Sequence, residues 1–215
     1  MKDKIITAAT KLFIKFGYKT VTMEEIAKEI GISKKTLYKT YDSKEKLVSH
    51  VASSVKNELF QKIEEMLTRN YDPVRENFEI QKFIIDIYKD IPEAASLELR
   101  KYYPETYSKE ISVQYAKLID YFIQNTKKGI ELGFYLKNLD VEYCARLTLL
   151  LLTASAENLK QNQRFGQYPE KVILYNIRAL STNKGEETLL LLESKIGMHN
   201  PSAPLISQYH LKTKV

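Results

Sequence analysis

Residues 21–33 restrict the chain more than any other segment. Thr22 stands three residues before Glu25, and Val21 lies five before Ile26. A Thr-x-x-Glu start with an apolar residue just outside and another one turn inside is a capping box closed by a hydrophobic staple. It predicts a helix running to about Ile30, with Ile26, Ala27 and Ile30 facing inward. Gly31-Ile32-Ser33 follows. Glycine accepts the positive φ of a sharp turn, Ile32 can plug the angle between two helices, and Ser33 can cap a third. Two short helices joined by a tight glycine turn make a helix-turn-helix. Ala27 is small enough for close helix approach, and Leu37 supplies the contact from the third helix.

The neighbouring residues complete the unit. Ile5, Ala8, Ala9, Leu12, Phe13 and Phe16 recur at three- and four-residue spacing and predict a first amphipathic helix, ended by Gly17. The third helix, predicted over about 34–40, turns Leu37 inward and presents Lys34, Lys35, Tyr38 and Lys39 outward, with Thr36 beside them. Lysine ammonium and tyrosine hydroxyl groups suit phosphate oxygens, and a lysine near a helix start can reach guanine edges in the major groove. Ser43 caps a fourth helix and puts Lys44 in its first turn, where free backbone N–H groups and a cation together suit a phosphate. Charge follows the same division. Residues 1–47 hold eleven lysines against six acidic residues, whereas the remainder holds 22 basic and 21 acidic ones. A phosphate-rich partner for the first fifth of the chain is the simplest consequence.

The run Thr22-Met23-Glu24-Glu25-Ile26-Ala27-Lys28-Glu29-Ile30-Gly31-Ile32-Ser33-Lys34-Lys35-Thr36-Leu37-Tyr38, followed by Tyr41-Asp42-Ser43-Lys44-Glu45, closely resembles the DNA-binding domain of TetR/AcrR-family regulators. The resemblance covers roughly residues 5–48. It implies a homodimer that places one recognition helix in the major groove of each half of a palindromic operator on double-stranded DNA. By motif position it assigns phosphate contacts to Thr22, Lys34, Thr36, Tyr38, Tyr41 and Lys44. Lys35 falls near the bases, where many members carry glycine, and Lys39 where an aromatic residue or arginine is frequent. Tyr41 replaces the more usual phenylalanine, which leaves core packing alone as its alternative role. The resemblance further implies a repressor with an effector pocket somewhere in a second domain.

From Leu47 onward, Val48, Val51, Val55, Leu59, Ile63 and Met66 predict a long connecting helix ending near Asn70, ahead of the Asp72-Pro73 break. Further helices are predicted over about 74–90, 93–102, 104–131, 139–162, 168–181 and 185–196. The expected fold is therefore all-α: a three-helix helix-turn-helix domain over 1–47, a larger helical effector-binding and dimerisation domain over 48–197, and a flexible tail over 198–215. Tyr107, Ile111, Tyr115, Leu118 and Phe122 make one helical stripe, and with Tyr88 and Tyr103 offer aromatic walls. Tyr88, Tyr103, Tyr107, Tyr115 and Phe122 are the candidate contacts to a small apolar or aromatic effector, against the plainer reading that the stripe is core. The alternative is a regulator with no small-molecule effector, controlled by a protein partner. Leu147–Leu152, apolar nearly all round, and the segment 172–180 suggest a four-helix interface between two subunits, against the plainer reading of a wholly internal core.

Other chemistry is not signalled. The three histidines are His50, His199 and His210, no set of residues has metal-ligand spacing, and no phosphate-binding glycine loop or nucleophile elbow occurs. Cys144 sits among apolar helical residues. No stretch approaches the roughly 18 apolar residues of a membrane helix, and the N-terminus lacks an apolar leader core. The expectation is a cytoplasmic protein that is not an enzyme, needs no cofactor or metal and contacts no membrane.

Overall fold

The helix starts read from capping residues are in place. In the computed structural model, which describes residues 1–160 and 169–195, Glu25 N donates to Thr22 Oγ1 at 3.2 Å, and Thr22 N donates to Glu25 Oε2 at 2.7 Å. Ser33 Oγ accepts from Thr36 N at 3.0 Å, Ser43 Oγ from Lys46 N at 3.2 Å, and Asp72 Oδ1 from Arg75 N at 2.9 Å. Each such bond satisfies one of the donors a helix start leaves unpaired. The helices are α1 (Lys2–Phe16), α2 (Met23–Glu29), α3 (Lys34–Thr40), α4 (Lys44–Leu67), α5 (Pro73–Asp90), α6 (Glu93–Tyr102), α7 (Pro104–Glu131), α8 (Val141–Lys160), α9 (Pro169–Leu180) and α10 (Asn183–Lys195). The fold is all-α. Among the described residues the only strand-like pairing is one antiparallel bridge between Tyr135 and Ser181.

Several boundaries differ from expectation for local reasons. The long α4 stops at Leu67 rather than near Asn70, because the chain turns through Thr68 and Asn70 takes a φ of 53°. α8 starts at Val141 rather than 139, since Asp140 Oδ1 caps it by accepting from Tyr143 N at 3.0 Å. Phe16, expected to face inward, is exposed at the end of α1, with the Lys15 ammonium 4.9 Å from its ring centroid. The predicted helical positions at 161–162, 168 and 196–197, and the tail from 198 with His199 and His210, lie outside the described residues.

Two hydrophobic clusters organise the chain. The first joins Ile5, Ala9 and Phe13 of α1, Ile26 and Ala27 of α2, Leu37 of α3 and Leu47, Val48 and Val51 of α4. The second gathers the C-terminal half of α4 with α5, α7, α8, α9 and α10. α4 therefore threads both, running through position 47 without a break. A second link was not legible in the sequence: Ala95 of α6 is buried in the first cluster, with Leu99 and Tyr103 packed against it.

The second cluster surrounds a buried polar network. The Tyr135 side chain is fully buried, and its hydroxyl lies 3.0 Å from Pro73 O and 3.2 Å from Asn125 Oδ1 while accepting from Asn77 Nδ2 at 3.3 Å. Asn125 Nδ2 donates to Glu76 Oε1 at 2.9 Å, and Lys128 Nζ donates to Glu76 Oε2 at 2.7 Å. Burial raises the Tyr135 phenol, and pushes the phenol of Tyr18 from 10.0 up to about 12. Tyr121 is also pushed up to about 12, by burial first and then by the nearby Glu64 carboxylate. Above pH 10 the unfolded chain loses phenolic protons that the folded chain keeps, so folding stability from these groups falls as pH rises through this range. The urea midpoint should therefore drop between about pH 10 and about pH 12. A flat midpoint across that window would contradict the burial of these phenols.

Candidate nucleic-acid interface

Leu37, fully buried, anchors α3 to the first cluster and so directs the opposite face outward. Lys34, Lys35, Tyr38 and Lys39 are exposed there. Lys34 is ion-paired with Glu24 of α2, and its ammonium lies 5.7 Å from the Tyr38 ring centroid. That hydrogen bond lowers the Glu24 carboxyl and raises the Lys34 ammonium from their ordinary values. Lys35 and Lys39 have no ion-pair partner among the described residues. The Thr36 hydroxyl lies 2.8 Å from Ser33 Oγ, so it belongs to the cap as well as to the surface. Thr22 is exposed at the start of α2. The turn between α2 and α3 has Gly31 at φ 69°, a left-handed conformation that a side chain would strain.

Two of the sequence candidates are engaged inside the protein. The Tyr41 ring is only 6% exposed, and its hydroxyl lies 2.7 Å from His50 Nδ1. It packs beneath the end of α3 instead of standing on the surface, because the chain turns inward there to begin α4. Lys44 Nζ donates to the Lys19 carbonyl at 3.0 Å, and partial burial lowers its ammonium. Its charge ties the segment after α1 to the start of α4 and sits behind the outward lysines. The candidate residues thus divide into an outward group (Lys34, Lys35, Thr36, Tyr38, Lys39 and Thr22) and an inner pair, Tyr41 and Lys44, bonded within the protein.

Sequence reasoning missed Glu98. Its Oε2 accepts from Lys19 N at 2.9 Å, and its carboxylate fills the space beside Gly17 (φ 91°) where a Cβ would stand. α6 is thereby latched to the segment leading into α2. The partners are 79 residues apart, a separation at which no local pattern gives warning.

A cavity of about 670 Å³ opens beside this latch, bounded by α1, α4, α5, α6 and α7. That volume is in the range that holds drug-sized molecules. Ile14, Val55, Leu59, Ile84, Ile87 and Ile111 supply much of the wall. Of the five aromatic candidates, Tyr88 and Tyr107 line it. The other three are placed elsewhere. Tyr103 packs edge-on against Tyr18 at 6.4 Å in the first cluster, Tyr115 packs against the second cluster, and Phe122 is buried within it. Only the first part of α7, as far as Gln114, reaches the cavity, so one helical stripe is divided between wall and core. Ser53, Lys56 and Glu110, none of them singled out in the sequence, form a cluster at the cavity. Lys56 Nζ is 2.6 Å from Glu110 Oε2, and Ser53 Oγ donates to Glu110 Oε1 at 2.8 Å. No group of His, Cys, Asp or Glu among the described residues could hold a metal ion, and no helix there is long and apolar enough to cross a membrane.

Residues 5–51 match the model of the bacterial regulatory proteins of the tetR family. The chain is 34% identical over 122 residues to the biofilm operon icaADBC HTH-type negative transcriptional regulator IcaR of Staphylococcus epidermidis, covering 49% of this chain and 62% of that protein. It is 36% identical over 84 residues to the HTH-type transcriptional regulator YhgD of Bacillus subtilis, covering 39% of this chain and 44% of that one. The match thus spans less than two thirds of either relative's length, and both are regulators, not enzymes. In fold, the chain is similar to a transcriptional regulator from Saccharomonospora viridis solved in complex with choline, with a TM-score of 0.73 and 14% identity over 85% of this chain and 98% of that one. The capping box, the Gly31 turn and the lysine face of α3 all fall inside the segment that matches the tetR family of bacterial regulatory proteins, and the helical array behind them has the fold of the solved regulator.

Proposed function

We propose that the chain is a homodimeric repressor of transcription that reads a palindromic operator in the cytoplasm and releases it when a small molecule fills the cavity between α1, α4, α5, α6 and α7. The observation that carries the DNA-binding half is the outward face of α3, where Lys35 and Lys39 stand unpaired beside Lys34 and Tyr38 on a helix capped at Ser33 and anchored by Leu37. Such a face supplies phosphate contacts from the cations and base contacts from the helix start. Lys44, Tyr41 and Thr22 serve as supports and flanking contacts. The IcaR relative is a negative transcriptional regulator, and the S. viridis neighbour was solved in complex with choline.

The effector half rests on where the cavity lies. Thr10, Ile14 and Tyr18 of the DNA-binding unit line it together with Ala95, Ser96 and Leu99 of α6. An occupant pressing on α6 bears on the Glu98–Lys19 latch and shifts the balance toward arrangements in which the recognition helices no longer fit successive major grooves. Affinity selection of sheared genomic DNA on the purified protein, followed by sequencing, tests the reading. A palindrome with half-sites about one helical turn apart is expected; no enrichment at low salt from folded protein would overturn it.

Dimerisation is assigned to α8 and α9. Tyr143 and Leu150 of α8 are 64% and 62% exposed, and Tyr175 of α9 is 60% exposed. Large apolar groups left on packed helices mark a surface that a partner covers. Leu150→Glu combined with Tyr175→Glu is expected to convert the dimer to monomer in sedimentation velocity and to weaken operator binding in parallel. A dimer that survives both charges places the interface elsewhere.

A further inference from the structure

We propose that the cavity takes an uncharged amphiphile: an aliphatic body with a single hydrogen-bonding head, such as an alcohol or amide, seated at the Lys56–Glu110 pair. This rests on the reading of the cavity as an effector site and adds the chemistry of its ligand.

The head position follows from the polar groups. Lys56 and Glu110 have side chains only 15% and 9% exposed, and their charges cancel. Glu110 Oε2 is buried and lies 2.6 Å from Lys56 Nζ, so the pair is closed on itself and offers a ligand no uncompensated charge. Tyr18 lines the same cavity, is 6% exposed, and stacks on Phe13 with ring centroids 4.9 Å apart. Its hydroxyl has no hydrogen-bond partner among the described residues and is free to serve a ligand.

Charge decides the class of head. An anionic head would gain Lys56 but stand against Glu110, and a cationic head would meet the reverse. Prising a buried pair apart leaves one charge uncompensated, which is costly in a site with little water. A neutral head keeps the pair intact and can share its hydrogen bond with the Tyr18 hydroxyl. At the rim, exposed Glu58 and Lys62 add one charge of each sign, so the cavity as a whole attracts neither ion. Branched aliphatic side chains from α1, α4, α5 and α7 (Ile14, Val55, Ile84, Ile111) form the walls for the body.

Three probes sharing one chain, 1-decanol, decanoate and decylammonium, test this on the full-length protein by calorimetric titration and by thermal melting. Wild type is expected to bind 1-decanol about tenfold or more tighter than either ion. Glu110→Gln strands Lys56 and should move the preference to decanoate; Lys56→Gln strands Glu110 and should move it to decylammonium. The double variant Lys56→Gln/Glu110→Gln, which leaves no buried charge to strand, should restore the preference for 1-decanol and covers the case in which a single variant fails to fold. The proposal is overturned if either ion matches 1-decanol on wild type, if no probe raises the melting temperature, or if the double variant prefers an ion. Operator affinity measured with saturating 1-decanol separates the two readings. Binding that obeys the charge rule without loss of DNA affinity sinks the effector reading and leaves the ligand class standing.

Discussion

Replacing Lys34, Lys35 and Lys39 together by alanine is expected to weaken operator binding on the order of 100-fold near 0.15 M salt. Each lysine that neutralises a phosphate releases condensed counterions, and losing one such contact costs about 1 kcal/mol. Three contacts therefore amount to about 3 kcal/mol, and tenfold in affinity corresponds to about 1.4 kcal/mol. The same substitution should flatten the dependence of log affinity on log salt by roughly 3, one for each lost contact. The three residues are unequal. On the proposed reading Lys35 and Lys39, with no ion-pair partner among the described residues, are available to DNA at once, whereas Lys34 must leave Glu24 before it can serve a phosphate, so its single variant should cost least. All three side chains are exposed, so unfolding by urea should change by no more than about 0.5 kcal/mol. Fluorescence anisotropy with the selected operator across a salt series reads both quantities. An unchanged salt slope would mean that this face of α3 does not touch the phosphate backbone.

Tyr135→Ala carries the largest expected cost to folding, about 4 kcal/mol, in keeping with deletion of a buried aromatic ring. The ring lies against Gly129 of α7, where a Cβ would overlap it, and no neighbour can move in to fill the space cheaply. Tyr135→Phe isolates the hydroxyl and should cost about 2 kcal/mol, because Asn77, Asn125 and the Pro73 carbonyl each lose a buried partner. The network binds the start of α5 to the end of α7, so its loss is felt by two helices at once. Urea unfolding of the two variants beside wild type gives the comparison. If Tyr135→Phe matched wild type within about 0.5 kcal/mol, the polar network would contribute nothing net and the ring alone would hold this end of the bundle.

The helix starts were legible because caps are local. Thr22 with Glu25, Ser33 with Thr36 and Ser43 with Lys46 each satisfy hydrogen bonds across three residues, and residue type at that spacing is enough to announce them. The same holds for Gly31, where the turn needs a positive φ, and for Leu37, whose position on a seven-residue helix decides which face carries the lysines. The Tyr41 ring was harder to place. The motif put it beside phosphate contacts, yet its direction depends on how α4 leaves α3, and it ends against His50. The aromatic stripe of α7 stayed open between pocket and core for a related reason: helical spacing shows that Tyr107, Tyr115 and Phe122 share a face, but not which neighbours cover each turn of it.

What the chain determined by itself, then, was the all-helical class, the capped helix-turn-helix and the lysine face that α3 presents. These depend on interactions spanning a few residues and on the period of apolar side chains. Tertiary structure alone decided that α6 packs on the DNA-binding unit through Glu98, that Lys56 meets Glu110 in a cavity wall, and that Tyr135 gathers Asn77, Asn125 and Pro73. Apart from Asn125, ten residues before Tyr135, those partners lie more than fifty residues apart, on elements whose order in sequence does not state their neighbours. An isolated glutamate or lysine on an amphipathic helix looks the same whether it faces water or a partner; only packing the helices together removes the water and turns it into a latch, an ion pair or a ligand contact.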